Sequence, residues 1–148
     1  MSNGANWKPS NVMSGTHGKV WWDGELVFEA KGFEASLELQ MEAVKQAGQL
    51  ADGQKLLGYN GTGTLRVHKV FSRAIRKLSA SLKAGINPEF TMVSELNDPG
   101  AFGAERVLLK GVQFTTLPLA NWELGGLGEE ELPFTFTDWE PASVVKHE

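Results

Sequence analysis

The chain contains no cysteine, which excludes a disulfide scaffold and a thiolate nucleophile. Its three histidines, His17, His68 and His147, stand in unrelated contexts. None has a partner at metal-ligand spacing such as HExxH, so no metal or cofactor is expected. There is no GxSxG and no P-loop. The nearest thing to a glycine-rich phosphate loop, NGTGT at residues 60–64, lacks a following Lys-Ser/Thr and leads into an alternating run. No stretch approaches the roughly 20 apolar residues of a membrane span, so membrane insertion is not expected. The opening MSNGANWKPS lacks the apolar region of a secretory signal.

Charge of one sign is missing in two places. Residues 69–83 carry Lys69, Arg73, Arg76, Lys77 and Lys83 without an acid. Residues 111–145 carry Glu123, Glu129, Glu130, Glu131, Asp138 and Glu140 without a Lys or Arg. Two readings stand side by side: two solvated faces, or complementary patches that meet between copies of the chain. The net charge of −4 argues against bulk attraction to nucleic acid.

What is present suits one domain with an ordinary core, at 148 residues and 41% hydrophobic content. The most informative stretch is FEASLELQMEA, residues 33–43. Phe33, Ala35, Leu37, Leu39, Met41 and Ala43 alternate with Glu34, Ser36, Glu38, Gln40 and Glu42. This period of two predicts a strand with one buried and one wet face. A second such run, residues 61–70, places Thr62, Thr64, Arg66 and His68 on its polar side and predicts a partner strand.

Around these runs, residues 1–13 read as a flexible arm and residues 14–140 as the domain. Residues 141–148 read as a loose tail. Asp23-Gly24 between β-prone runs predicts a hairpin through a type I′ turn, and Gly32 a bend or bulge. Residues 46–60, with three glycines, read as a mobile loop. Phe71, Ala74, Ile75, Leu78 and Leu82 recur at helical spacing and predict a helix over about 71–84. Gly85 would cap it and Asn87-Pro88 block its extension. Strands follow at 90–96, 106–116 and 131–139. Pro133 argues for an edge position or a strand start. The sum is a mainly β fold, a small barrel or sandwich with one flanking helix.

Catalysis finds little support. Glu34, Glu38 and Glu42 lie along one strand at gaps of about 14 Å, a row that fits an extended surface better than a reaction centre. Residues 33–44 would extend about 40 Å, enough to cross a domain about 38 Å wide or to project from it. Long strand edges recruit other chains unless closed, and a head-to-tail ring of subunits is one closure. The alternative is a monomeric small-ligand-binding β-barrel or barrel enzyme, which needs converging polar groups inside the barrel.

The segments SGTHGKVWWDGE (14–25), NGTGTLRVHKV (60–70), ERVLLKGVQF (105–114) and EEELPFTFTDWE (129–140) resemble, in order and spacing, the tail tube proteins of contractile phage tails. The likeness is to the type found in phages and defective prophages of Gram-positive bacteria. The resemblance implies a structural protein, not an enzyme, with no catalytic residue and no cofactor. It implies hexameric rings stacked into a hollow tube inside a contractile sheath, in a virion tail assembled in the host cytoplasm. Its partners would be further copies of itself, the sheath protein, and baseplate and terminator proteins. DNA would pass through without specific binding. By position, the two long strands match the family's tube-lining pair. From polarity, Glu34, Ser36, Glu38, Gln40, Glu42, Thr62, Thr64, Arg66 and His68 are the candidates to face the lumen. Arg73, Arg76, Lys77, Glu129, Glu130 and Glu131 are candidates for subunit or sheath contacts. Residues 46–60 and 1–13 are candidates for contacts between rings.

Overall fold

A computed structural model describes residues 8–143. Eight strands and one helix run in the order β1 (Gly18–Trp22), β2 (Glu25–Leu26), β3 (Ala30–Val44), β4 (Gly53–His68), α1 (Arg73–Lys83), β5 (Phe90–Leu96), β6 (Glu105–Phe114), β7 (Glu129–Phe136) and β8 (Asp138–Ser143). All pairings are antiparallel. One sheet runs β2-β1-β5-β6-β7-β4-β3, with β8 on β6, and it does not close. The fold is mainly β with one helix.

Local chemistry accounts for the corners. Asp23 and Gly24 both take positive φ (50° and 83°), joining β1 to β2 by a two-residue turn. At Gly111, φ is +65° and a Cβ would meet Thr137 Oγ1 at 2.2 Å. There β6 exchanges its pairing with β7 for pairing with β8, and the Thr137 N–H donates to the Lys110 carbonyl. The sheet bends here, so Trp22, Met92 and Val112 share one core with Leu65, Leu132 and Phe134. Helix α1 buries Ala74 and Leu78, while Phe71 and Leu82 of its predicted stripe stay exposed. Gly85, at φ +80°, ends it.

Four sequence expectations need correction. The predicted loop over 46–60 shrinks to residues 45–52, because β4 begins at Gly53. Three glycines hid eight residues of strand. The single strand predicted over 131–139 is two, β7 and β8, and residues 141–143 of the expected loose tail pair with β6. Residues 144–148 of that tail lie outside the described residues. Strand β7 is not at an edge, for it lies between β4 and β6. Pro133 is tolerated because its carbonyl accepts from the Thr115 N–H, just past the end of β6. The missing N–H would point to that same side, past the last paired residue of β6.

Of the expected arm, residues 1–7 also lie outside the described residues. Residues 9–11 form a 3-10 turn, and Asn11 Nδ2 donates to the Gly100 carbonyl at 3.0 Å. The Ser14 and Gly100 N–H groups both donate to the Asp98 carboxylate, at 2.8 Å. Those two bonds hold the Asp98 pKa below the ordinary carboxylate value.

Candidate functional site

The long hairpin β3–β4 sets the site. Its register places Glu34 opposite Thr64, Ser36 opposite Thr62, Glu38 opposite Asn60 and Gln40 opposite Gly58. Directly opposed residues share a face, so the polar residues of both strands form one surface. A bulge between Gln40 and Met41 takes up Leu57 and restores the alternation, with Glu42 opposite Lys55. Strand β7 extends the surface, pairing Thr62 with Thr135, Arg66 with Glu131 and His68 with Glu129. All nine polar candidates of β3 and β4 therefore belong to one three-stranded face.

That face carries Glu34, Glu38, Glu42, Glu129 and Glu131 against Lys31, Lys55 and Arg66. Arg66 lies between two acids, 3.5 Å from Glu34 and 3.4 Å from Glu131. Lys31 bonds Glu129 and, with His68 nearby, holds its pKa below the ordinary value. Glu38 and Glu42 form no ion pair among the described residues. The surface is an acidic strip of exposed polar groups with its main cation neutralised from both sides.

The opposite face of the hairpin behaves differently along its length. Phe33 stacks on Phe134 with centroids 5.6 Å apart, and Leu37 packs against the core. Gly61 and Gly63 make this possible. A Cβ at Gly63 would meet Glu34 O and Phe134 Cζ at 2.4 Å, and one at Gly61 would meet Phe136 at 2.6 Å. The NGTG run is thus a seat for two phenylalanines. Beyond Leu37 the support thins to one contact, Tyr59 opposite Leu39 standing edge-on to Trp139 with centroids 5.3 Å apart. Leu39 is 52% and Met41 54% exposed, with Leu56 and Leu57 beside them. The expectation that the whole apolar face packs on the chain's own core holds only as far as Leu37. Outward of Tyr59 the hairpin projects, exposed on both faces.

The predicted contact residues divide. Glu129 and Glu131 lie on the acidic face. Glu130 points the other way, buried against Lys69 at 3.1 Å, and offers no contact surface. Arg73 bonds the buried Glu29 through Nε and Nη2, both at 3.1 Å, and Glu25 through Nη1 at 3.0 Å. Burial works to raise the Glu29 pKa, but the Arg73 bonds and charge outweigh it and hold it below the usual value. Lys77 reaches Glu25 at 3.3 Å and lies 5.6 Å over the Trp22 ring. Of the basic helix, only Arg76 and Lys83 are exposed and form no ion pair within 4 Å among the described residues, and Arg76 still adds its charge to the field at Glu29. The two charge-rich segments are largely satisfied within the chain.

Sequence reasoning missed Lys31, Lys55, Asn60 and Thr135 on the acidic face. Thr135 and the parity of Glu129–Glu131 were readable from Leu132, Phe134 and Phe136, but three consecutive glutamates masked it. Lys55 and Asn60 were hidden in the supposed loop. Among the described residues no cluster suits a metal ion, and no helix is long and apolar enough to cross a membrane. A groove of about 370 Å³ opens between β3 and the β5–β6–β8 side, lined by Phe33, Leu37, Leu109, Phe136 and Trp139 with Glu34 and Glu105 at the sides. It is open, as the sheet is.

Comparison with known proteins follows this geometry. Residues 5–142 match the family described as phage tail tube protein. The phage-like element PBSX protein XkdM of Bacillus subtilis is 36% identical over 135 residues, covering 90% of this chain and 92% of that one. In fold, the chain resembles a subunit of a cryo-EM structure of an extracellular contractile injection system, a sheath–tube complex in the extended state. The TM-score is 0.69 at 9% identity, over 89% of this chain and 92% of that chain. It also resembles a chain of the anti-feeding prophage tube-terminating cap, with a TM-score of 0.70 at 9% identity, over 96% and 100%.

Proposed function

This chain belongs to the phage tail tube family, and from that premise we propose that it forms hexameric rings that stack into the hollow inner tube of a contractile phage or phage-like tail. As a tail tube protein it is structural and not an enzyme, and its place is the virion tail. The tube serves as a conduit for DNA and as part of the puncturing device. Sheath protein surrounds it, and baseplate and terminator proteins close its ends. Assembly takes place in the host cytoplasm.

The observation that carries this reading is the hairpin of 15 and 16 residues. Its outer half is polar on one face and apolar on the other, and neither face is covered. A monomer has no use for such an element, because exposed Leu and Met on a long strand edge invite association. In a ring, the apolar face and the free edge of β3 are covered by the next subunit. The acidic face then lines the opening, with Glu34, Ser36, Glu38, Gln40 and Glu42 from β3 and Thr62, Thr64, Arg66 and His68 from β4. Duplex DNA binds proteins through Lys and Arg that displace its counterions, and a face with an excess of carboxylates, whose Arg66 and Lys31 are already paired to acids, denies it that contact. Analytical ultracentrifugation and negative-stain electron microscopy of the purified chain test the reading. Rings or hollow tubes are expected. A chain that stays monomeric at all concentrations, and also when seeded with tail fragments, contradicts it.

A further inference from the structure

Two apolar surfaces remain uncovered, and they lie at opposite ends of β4. One is the outer hairpin around the 45–52 turn, with Leu50 fully exposed and Leu56 and Leu57 more than half exposed. The other springs from the far end, where the Lys69 N–H donates to the Gly128 carbonyl and His68 pairs with Glu129. It is the loop of residues 117–128, in which Trp122 is 81%, Leu124 94% and Leu127 93% exposed. Phe28 and Phe71 are also exposed near this end. Strand β4 separates the two surfaces by about 50 Å at its usual rise. The loop's large side chains together offer on the order of 500 Å² of apolar surface, an area of the size that marks interaction sites on monomers.

Charge does not oppose a contact between them. The loop carries Glu123, inside a segment free of Lys and Arg, and the hairpin end carries Lys45 and Lys55 balanced by Asp52 and Glu42. Glu123 and Lys45 have no ion-pair partner among the described residues and can meet across the contact.

We propose that the 117–128 loop of one subunit, anchored by Trp122, receives the 45–52 hairpin end of a second copy in the next ring. Surfaces at opposite poles that fit each other make a heterologous contact, which repeats without closing and yields a filament. The contact rests on the tube reading above and supplies its stacking step.

The absence of cysteine makes a direct test available. Leu50→Cys and Leu124→Cys are prepared separately in the full chain. Each is assembled alone and as a mixture, oxidised, and run on a non-reducing gel beside electron micrographs. The mixture is expected to give disulfide-linked dimers, and each variant alone less than roughly a tenth as much, since the contact joins unlike poles. Tubes without a mixed link, or with equal self-linking, overturn the contact. Wild-type protein that forms neither rings nor tubes, alone or seeded with tail fragments, overturns the tube reading itself. As a second measurement, Trp122→Ala is expected to leave thermal unfolding unchanged and rings intact, and to raise the concentration needed for tubes by roughly tenfold or more. Dissolution of the rings themselves would place Trp122 within a ring and overturn the pole-to-pole assignment.

Discussion

At the scale of single residues, small changes decide whether the β3–β4–β7 sheet can form. Gly63 lets Phe134 lie on β4 beside the Glu34 carbonyl, at a separation no Cβ could share. Gly63→Ala is expected to cost about 1–3 kcal/mol in urea unfolding, because the sheet must shift to admit the methyl group. Gly15→Ala, where nothing lies within 4 Å, serves as the neutral control. Glu29 is the second such residue. Its folded pKa lies below the ordinary 4.5. A depressed carboxylate contributes stability that is present above its unfolded pKa and lost as pH falls through its folded value. Asp98 and Glu129 are shifted the same way. Stability should therefore decline as pH drops from about 5 towards 3. Glu29→Gln, which leaves the largely buried Arg73 without its bidentate partner, is expected to cost about 2–3 kcal/mol at neutral pH. It should also flatten the acid limb of a thermal-midpoint profile. Sequence alone offered little sign of Glu29, because its partner lies 44 residues away on the helix.

At the scale of elements, the hairpin joins two roles that can be separated by mutation. Leu39→Ser with Met41→Ser removes apolar groups that the isolated chain buries only in part. Because each is still nearly half buried, the unfolding free energy should fall by only about 1 kcal/mol, while sedimentation shows loss of rings. Glu38→Lys with Glu42→Lys should leave tubes intact and make them hold short duplex DNA in a nuclease-protected, strongly salt-dependent way. DNA held but fully digestible would place that face on the outside. The strands themselves were legible, since the alternation in residues 33–43 gave the face assignment directly. What was not legible has two causes. Gly53 and Gly58 disguised the start of β4 as a loop, although a paired strand tolerates glycine where its partner strand is long enough to hold it. And β7–β8 read as one strand because the change of partner at Thr137 is set by Gly111, on a different element.

At the scale of the whole molecule, alternation could announce a long amphipathic hairpin but not where the core would stop supporting it. The core ends at Leu37 and Gly61, and outward of them the hairpin keeps only the edge contact of Tyr59 with Trp139. The same applies to charge. Two segments of opposite sign suggested patches meeting between copies, yet Lys69, Arg73 and Lys77 find their acids within the chain. The surfaces left for assembly are mainly apolar. The most direct test is a cryo-EM helical reconstruction of tubes assembled from the full chain. It should show six-fold rings with Glu34, Glu38 and Thr62 facing the lumen and Leu39 and Met41 covered by the neighbouring subunit. A map with that polar face on the outer wall, or with Leu39 and Met41 still exposed to solvent, would contradict the account.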